Sequence, residues 1–352
     1  MNEIHATNDT THAEPQTQRF SLLGRWIHVF RTGNPPPVEN LDRVTRWLVL
    51  TRAAVQPMTL TSAVLAGLVA LRANGFRWQY YLLSVLGLVL AHAANNLMND
   101  FFDVEAGSDT DNYPRALYAP HPVLSGIISR RGLGTAAAVL NLIDLGILVL
   151  LFRARGWPIV AFAIAGLFLS IAYTAPPLRL KKIGLGEAAV FVVWGPLMVG
   201  GTYYAAVGTI GSKVWAFSIP YGLLASAVLM GKHIDKIPWD RELGIKTLPV
   251  ILGEERSKAL TRVLMWGFYP AVAALVLLRV YPWPAIICFL GIHTLLKVDK
   301  VIRAPKPNKK PERFTVWPLW YAAWTFLHTR RAGALLVVGV ALGTLLFPVH
   351  LT

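Results

Sequence analysis

Charge is what this chain has least of. Lys, Arg, Asp and Glu make up 15% of its 352 residues, where a soluble chain carries about 25%. Acid is scarcer still, with 19 Asp and Glu against 34 Lys and Arg. There is a single cysteine, Cys288, in an apolar run, so no disulfide or multi-thiolate metal site can form within one chain. The first 18 residues lack an apolar core and do not read as a signal peptide. What is abundant is hydrocarbon. Hydrophobic residues make up 54%, gathered in blocks, and the mean hydropathy is +0.47.

A span needs roughly 20 mostly apolar residues. Nine segments qualify: 47–72, 79–99, 132–152, 156–174, 187–207, 214–231, 262–280, 281–297 and 333–350. The seventh and eighth are divided by Tyr281-Pro282-Trp283-Pro284, read as a tight turn with interfacial aromatics. The expected fold is therefore an all-α polytopic membrane bundle of nine transmembrane helices, spread over residues 41–352. Residues 1–40 read as a disordered or interfacial cytoplasmic leader. Within it Leu22, Leu23, Trp26, Ile27 and Phe30 fall on one helical face.

Lys and Arg counts set the orientation. With the N-terminus cytoplasmic, 27 of them lie in cytoplasmic segments and six in opposite loops, the remaining one being Arg52 inside the first span. The imbalance places the N-terminus inside and the C-terminus outside. The basic residues are split among short loops, which argues against a nucleic-acid binder.

Ten of the 19 acids lie in two stretches, Asn95–Arg115 and Gly231–Glu255, both on the cytoplasmic side. Carboxylates at membrane helix ends are costly and tend to be functional. In NNLMNDFFDVEAGSDTDNYPR, Asn99 and Asp103 are four apart, as are Asn96 and Asp100, so each pair shares a helix face. Asn95 lies beside them. Arg115 follows on the loop, suited to a bidentate grip on a diphosphate. Hard oxygen donors with an Arg suit a Mg²⁺–diphosphate complex.

The second stretch offers Asp235 and Asp240, with His233 and Glu242 nearby and Arg241, Gly244 and Lys246 completing a polar turn. Five residues on a regular helix put two side chains about 140° apart, so both would face one site only if Pro238 broke the helix. Lys236 stands where an i, i+4 partner of Asp240 would sit. Between the two stretches runs YTAPPLRLKKIGLGE. Its Arg179, Lys181 and Lys182 read either as a positive-inside anchor or as cations for a departing diphosphate, with Tyr173 near the reacting centre. Glu187 either enters the cavity or caps a helix. Asp144, with Asn141 one turn earlier, is the mid-span acid of the third segment.

These segments resemble the UbiA-type intramembrane prenyltransferases, and within them the branch of 1,4-dihydroxy-2-naphthoate polyprenyltransferases. NDFFDVEAGSDTD (99–111) is similar to that branch's NDYxDxxxGxD, and DRELGIKTLPVILG (240–253) to its DRxxGxxTLxVxLG. IGLGEAAVFVVWGPLMVGGTYY (183–204) resembles its fifth-helix segment. The likeness covers residues 45–350. One departure stands out: in Lys232-His233-Ile234-Asp235-Lys236 the upstream aspartate is displaced by one position and Lys236 takes its place.

The resemblance implies a bundle around a central cavity in the bacterial cell membrane, with its active site on the cytoplasmic side. It implies an allylic polyprenyl diphosphate whose tail lies in an apolar tunnel and a small aromatic acceptor. It implies Mg²⁺ held by Asn99, Asp100 or Asp103 on one side and Asp240, with Asp235 as a further ligand, on the other. Asp103, Asp240, Tyr173 and Lys181 are the expected catalytic residues. Asn95, Asn96, Arg115, Arg179, Lys182, Tyr203 and Lys246 are the expected substrate contacts. The alternatives are prenyl transfer to a sugar phosphate, lipid or terpenoid, or a cation-coupled transporter.

Overall fold

The computed structural model describes residues 20–36, 38, 40–105, 121–312 and 314–346, with only the backbone given for 103–105. Every regular element among these residues is helical. Helix α1 (Leu22–Thr32) and α2 (Arg43–Leu50) precede the first long span. The spans then follow as α3 (Ala53–Ala70, opening on a 3-10 turn), α4 (Trp78–Glu105), α5 (Arg130–Arg155), α6 (Trp157–Thr174), α7 (Gly186–Val207) and α8 (Ser212–Glu242). A short α9 (Leu248–Leu252) leads into α10 (Glu254–Leu277). A 3-10 segment, Trp283–Gly291, runs into α11 (Ile292–Arg303), and α12 (Trp320–Leu346) closes the described chain. Eight of the helices are long and apolar enough to cross a membrane.

The sequence places most of these ends. Ser21 caps α1 by accepting from Gly24 N, and Gly33 closes that helix with φ 73°. Asp42 caps α2, accepting from Thr45 N at 2.9 Å and from the Trp26 indole at 3.3 Å, so one carboxylate ties α1 to α2. Burial works against its ionisation, but the Thr45 and Trp26 hydrogen bonds win and hold it at about 2. On α1, Leu22, Leu23, Ile27 and Phe30 are exposed, while Trp26, expected on the same face, is half-buried against Asp42.

Two expected spans moved. The last helix begins at Trp320 rather than near 333, so Arg330 and Arg331 lie inside it instead of in a loop. Arg331 is accommodated by donating to Thr294 Oγ1 at 3.1 Å. The expected span 281–297 is a 3-10 segment continued by an α-helix that carries Lys297, Asp299, Lys300 and Arg303. Tyr281, read as interfacial, is buried and donates to Phe217 O at 2.7 Å. Trp283 beside it is exposed.

The largest buried cluster joins α3, α7, α8, α10, α11 and α12. Phe217, Tyr221, Met265, Phe268, Leu295 and Leu336 form one core, with Cys288 inside it. Helices α5 and α6 bury little of themselves, and residues such as Leu142, Leu150, Ile164 and Phe168 stay exposed, as lipid-facing walls do. Small residues let backbones meet. A Cβ added at Gly339 would stand 2.4 Å from Pro284 O, and one at Gly343 would stand 2.3 Å from Pro282 Cβ.

Gly339→Val therefore pushes α12 off the Pro282–Pro284 turn and costs about 1–3 kcal/mol. Gly146→Ala, which meets nothing within 4 Å on the outside of α5, leaves stability equal or slightly higher. Thermal unfolding in detergent compares the two. Equal melting temperatures would refute this account of the α12 contact.

Candidate active site

Helices α4, α6 and α8 bring the C-terminal ends of their chains to one end of a shared cavity of about 1260 Å³. Asn95, Asn96 and Asn99 line it from α4, Tyr173 from α6, and His233 and Asp240 from α8. Lys181 and Lys182 reach it from the turn after α6. Elsewhere its wall is mostly apolar, with Asn141, Asp144, Ser84 and Thr202 among the exceptions. Three helix C-termini present partial negative charge, which favours a cation and opposes a bare anion. Lys181, Lys182, Lys232, Lys236 and Arg52 on the wall offset that field.

The end of α4 serves two neighbours by register. Asn95 and Asn99, four apart, face α6: Ser170 Oγ donates to Asn95 Oδ1 at 2.8 Å and Thr174 Oγ1 donates to Asn99 Oδ1. Ser170 and Thr174 are also four apart, so the two helices run in the same direction and match turn for turn. Asn96 and Asp100, one position on, face the start of α3 instead. Asn96 Nδ2 donates to Thr51 O at 3.0 Å, and Arg52 Nη2 donates to Asp100 Oδ1. Asp100 is fully buried, with His121 Nε2 4.0 Å away. The sequence offered Asp100 as a metal ligand; the structure places it behind the wall, on Arg52, and Arg52 rather than Asp100 lines the cavity.

Asp235 also lies apart from the expected site. Helix α8 runs unbroken through Pro220 and Pro238, so Asp235 and Asp240 keep their regular separation and face different ways. Asp240 lines the cavity with Lys236 Nζ 3.8 Å from its Oδ1, the i, i+4 pair the spacing predicts. Asp235 turns to α12, where it accepts from Ala322 N at 2.9 Å and meets Lys306 Nζ at 3.2 Å. It joins three segments of backbone and stands off the cavity wall.

The other expected residues divide in the same way. Tyr173, Lys181 and Lys182 are on the wall. Arg179 is off it, in the left-handed region at φ 45°, where it turns the chain so that the two lysines follow. Tyr203 is 6% exposed within the core, because its position on α7 faces α3 and α8 rather than the cavity. Lys246 is exposed, and its backbone N–H donates to Lys182 O at 3.1 Å. Arg115 and the Asp103 side chain lie outside the described residues. Among the described residues no three His, Cys, Asp or Glu side chains cluster for a metal. Glu187 enters the interior, accepting from or donating through His233 Nδ1 at 2.7 Å. Arg52 is the main residue that sequence reasoning passed over, and its signal was a lone charge inside an apolar span.

Fold and cavity define a polytopic helical membrane protein with a polar-ended, apolar-walled chamber. The chain belongs to the UbiA prenyltransferase family, whose model matches residues 60–324. It is a prenyltransferase, and the transporter alternative is dropped. It is 27% identical to a 2-carboxy-1,4-naphthoquinone phytyltransferase of Synechocystis, over 68% of this chain and 75% of that protein. It is 30% identical to a 1,4-dihydroxy-2-naphthoate octaprenyltransferase of Haemophilus influenzae, over 64% of this chain and 74% of that protein. The fold resembles a UbiA homolog from Archaeoglobus fulgidus bound to GPP and Mg²⁺, with TM-score 0.51, 17% identity, and coverage of 83% and 99% of the two chains.

Replacing Ser170 by Ala and Thr174 by Val removes both α6 donors to the asparagines. The double variant is expected to lose about 1 kcal/mol per bond, read as a fall in melting temperature. An unchanged melting temperature would mean that the two asparagines are not held by α6.

Proposed function

We propose that this chain transfers a prenyl group from an allylic polyprenyl diphosphate to an electron-rich naphthoate-type acceptor, releasing diphosphate. The observation that carries the proposal is one cavity with Asn99, Asp240 and lysines at one end and hydrocarbon beyond. An anionic head with a long apolar tail matches that division. The named activities of the two relatives support the acceptor class.

Nine crossings serve this reading. Tyr321 and Ala322, at the start of α12, sit beside Asp235 near the end of α8 and Lys258 near the start of α10. Gly339 and Gly343, toward its other end, sit against the turn after α10. On this reading the chain from 283 to 303 returns across the bundle. Nine 3-10 residues and twelve α-helical ones span about 36 Å, enough for about 30 Å of hydrocarbon. The polar end of the cavity then faces the cytoplasm, on the side richer in Lys and Arg.

The donor set suits Mg²⁺, which takes one or two protein carboxylates along with phosphate oxygens. Asn99 and Asp240 line one chamber from two helices, and Asp103 follows Asn99 by one turn. Bound there, Mg²⁺ supplies charge neutralisation for the diphosphate. Lys181, Lys182 and Arg52 hold the remaining phosphate oxygens, with Asp100 positioning Arg52. The apolar wall keeps water from the allylic cation as the C1–O bond breaks. Tyr173 offers that cation the face of its ring. The acceptor carbon bonds to C1 and then gives up its proton.

Purified protein given allylic diphosphates and 1,4-dihydroxy-2-naphthoate is expected to release diphosphate only with Mg²⁺ present. Asp240→Asn should lower turnover about a hundredfold with the fold intact. Asp235→Asn should keep turnover per folded molecule within a few-fold while losing about 2 kcal/mol of stability. Release with 4-hydroxybenzoate or a membrane extract alone would move the acceptor to another class. The absence of release in folded protein with every pair would end the proposal.

A further inference from the structure

One acid on the cavity wall takes no part in the chemistry above. Asp144 lies near the middle of α5 and lines the same chamber as Asn99 and Asp240. Its Oδ1 is buried and has no hydrogen-bond partner among the described residues. The polar side chains around it are engaged elsewhere. Asn141 Nδ2 donates to Ala137 O at 2.8 Å, one turn back on its own helix. Ser84 Oγ donates to Thr202 Oγ1 at 3.2 Å. The rest of this stretch is hydrocarbon, including Leu145, Leu148, Leu151 and Phe162.

The depth of this carboxyl follows from α4. A Cβ placed on Gly87 would stand 3.6 Å from Asp144 Oδ1, so the two lie side by side. Gly87 precedes Asn99 by twelve residues on an unbroken helix, about 18 Å along its axis. Asp144 therefore stands well inside the apolar part of the chamber, far from any diphosphate at the Asn99 end.

We propose that Asp144 selects the length of the prenyl tail, an inference that rests on the cavity being the prenyl diphosphate site. A tail that stops short of Asp144 leaves water free to hydrogen-bond to its Oδ2, the oxygen that is not closed off within the wall. A tail that lies across it displaces that water and offers only carbon in return, leaving a buried polar group unsatisfied. The penalty falls on longer tails alone. The two curated relatives act, by name, on phytyl and octaprenyl chains, so neither fixes the length used here.

The test is the KM for geranyl, farnesyl, geranylgeranyl, hexaprenyl and octaprenyl diphosphates at fixed detergent. The melting-temperature rise that each gives with Mg²⁺ is read alongside and needs no turnover. In the natural protein KM is expected to step up about tenfold, equivalent to about 1.4 kcal/mol, between farnesyl and hexaprenyl. Asp144→Leu should erase the step by lowering KM about tenfold for the long tails, with kcat on the shortest unchanged. Asp144→Asn, still polar, should keep it, and Asp144→Ala reads the same as leucine should the leucine variant not fold. A step that survives leucine and alanine, or a natural protein with no step, overturns the selector while the site stands. If no tail is turned over and none raises the melting temperature, the site assignment fails and the selector with it.

Discussion

Hydrocarbon offers no hydrogen bonds, so a polar side chain in a membrane helix must find its partner inside the protein. The end of α4 depends on that constraint. Four polar residues in six positions cannot all face one neighbour on a helix of 3.6 residues per turn. They split into two i, i+4 pairs, and each pair has its own set of partners. Asn95 and Asn99 take Ser170 and Thr174 from α6. Asn96 and Asp100 take Thr51 and Arg52 from the approach to α3. The amides that reach the cavity are thereby fixed from behind. Arg52, left-handed at φ 53°, is held by the carboxylate it needs. Loss of either partner helix would release the whole polar end.

The same logic governs α8. Its two prolines each remove a backbone donor, and the helix still runs 31 residues without a break. Close packing explains this. Gly231 meets Thr325 and the Tyr321 backbone, and Gly222 meets Phe191, so neighbours hold the axis where hydrogen bonds are missing. Irregularity appears instead in α7, as a five-residue π segment, Val193–Leu197, containing Pro196. There Trp194 O accepts from Ser62 Oγ at 2.6 Å. The wider turn thus has a partner for a freed carbonyl, and Trp194 lies on the cavity wall.

Hydropathy made the bundle legible because eight apolar runs are long enough to need no other signal. It failed where charge interrupts a helix. Arg330 and Arg331 made 320–332 look like loop, yet Thr294 partners one, and the other lies on the cavity wall with its guanidinium over Phe326. Spacing made Asp240, Lys236 and the asparagines legible, since i, i+4 geometry is local. It did not tell which face of α4 meets the cavity, so Asp100 looked as exposed to a metal as Asn99. For Asp235 the 140° separation already spoke against a shared site. The proline that seemed to rescue it did not break the helix. Tyr203 was beyond reach because its burial depends on how α7 sits against α3 and α8.

The rim of the polar end is assembled from parts distant in sequence, and this bears on what the leader does. Arg31, Thr32 and Gly33, at the end of α1, share the cavity wall with Phe314, Thr315 and Val316. Asn34 Nδ2 reaches Thr315 O at 3.4 Å across 281 positions. Asp42 fixes α1 to α2, and α2 leads directly to Thr51 and Arg52. A displacement of α1 would therefore be felt at the residues that hold Asn96 and Asp100. The apolar face of α1, turned outward, lies on the same piece of chain. Residues 22–32 are thus continuous with the site through one carboxylate and one short helix.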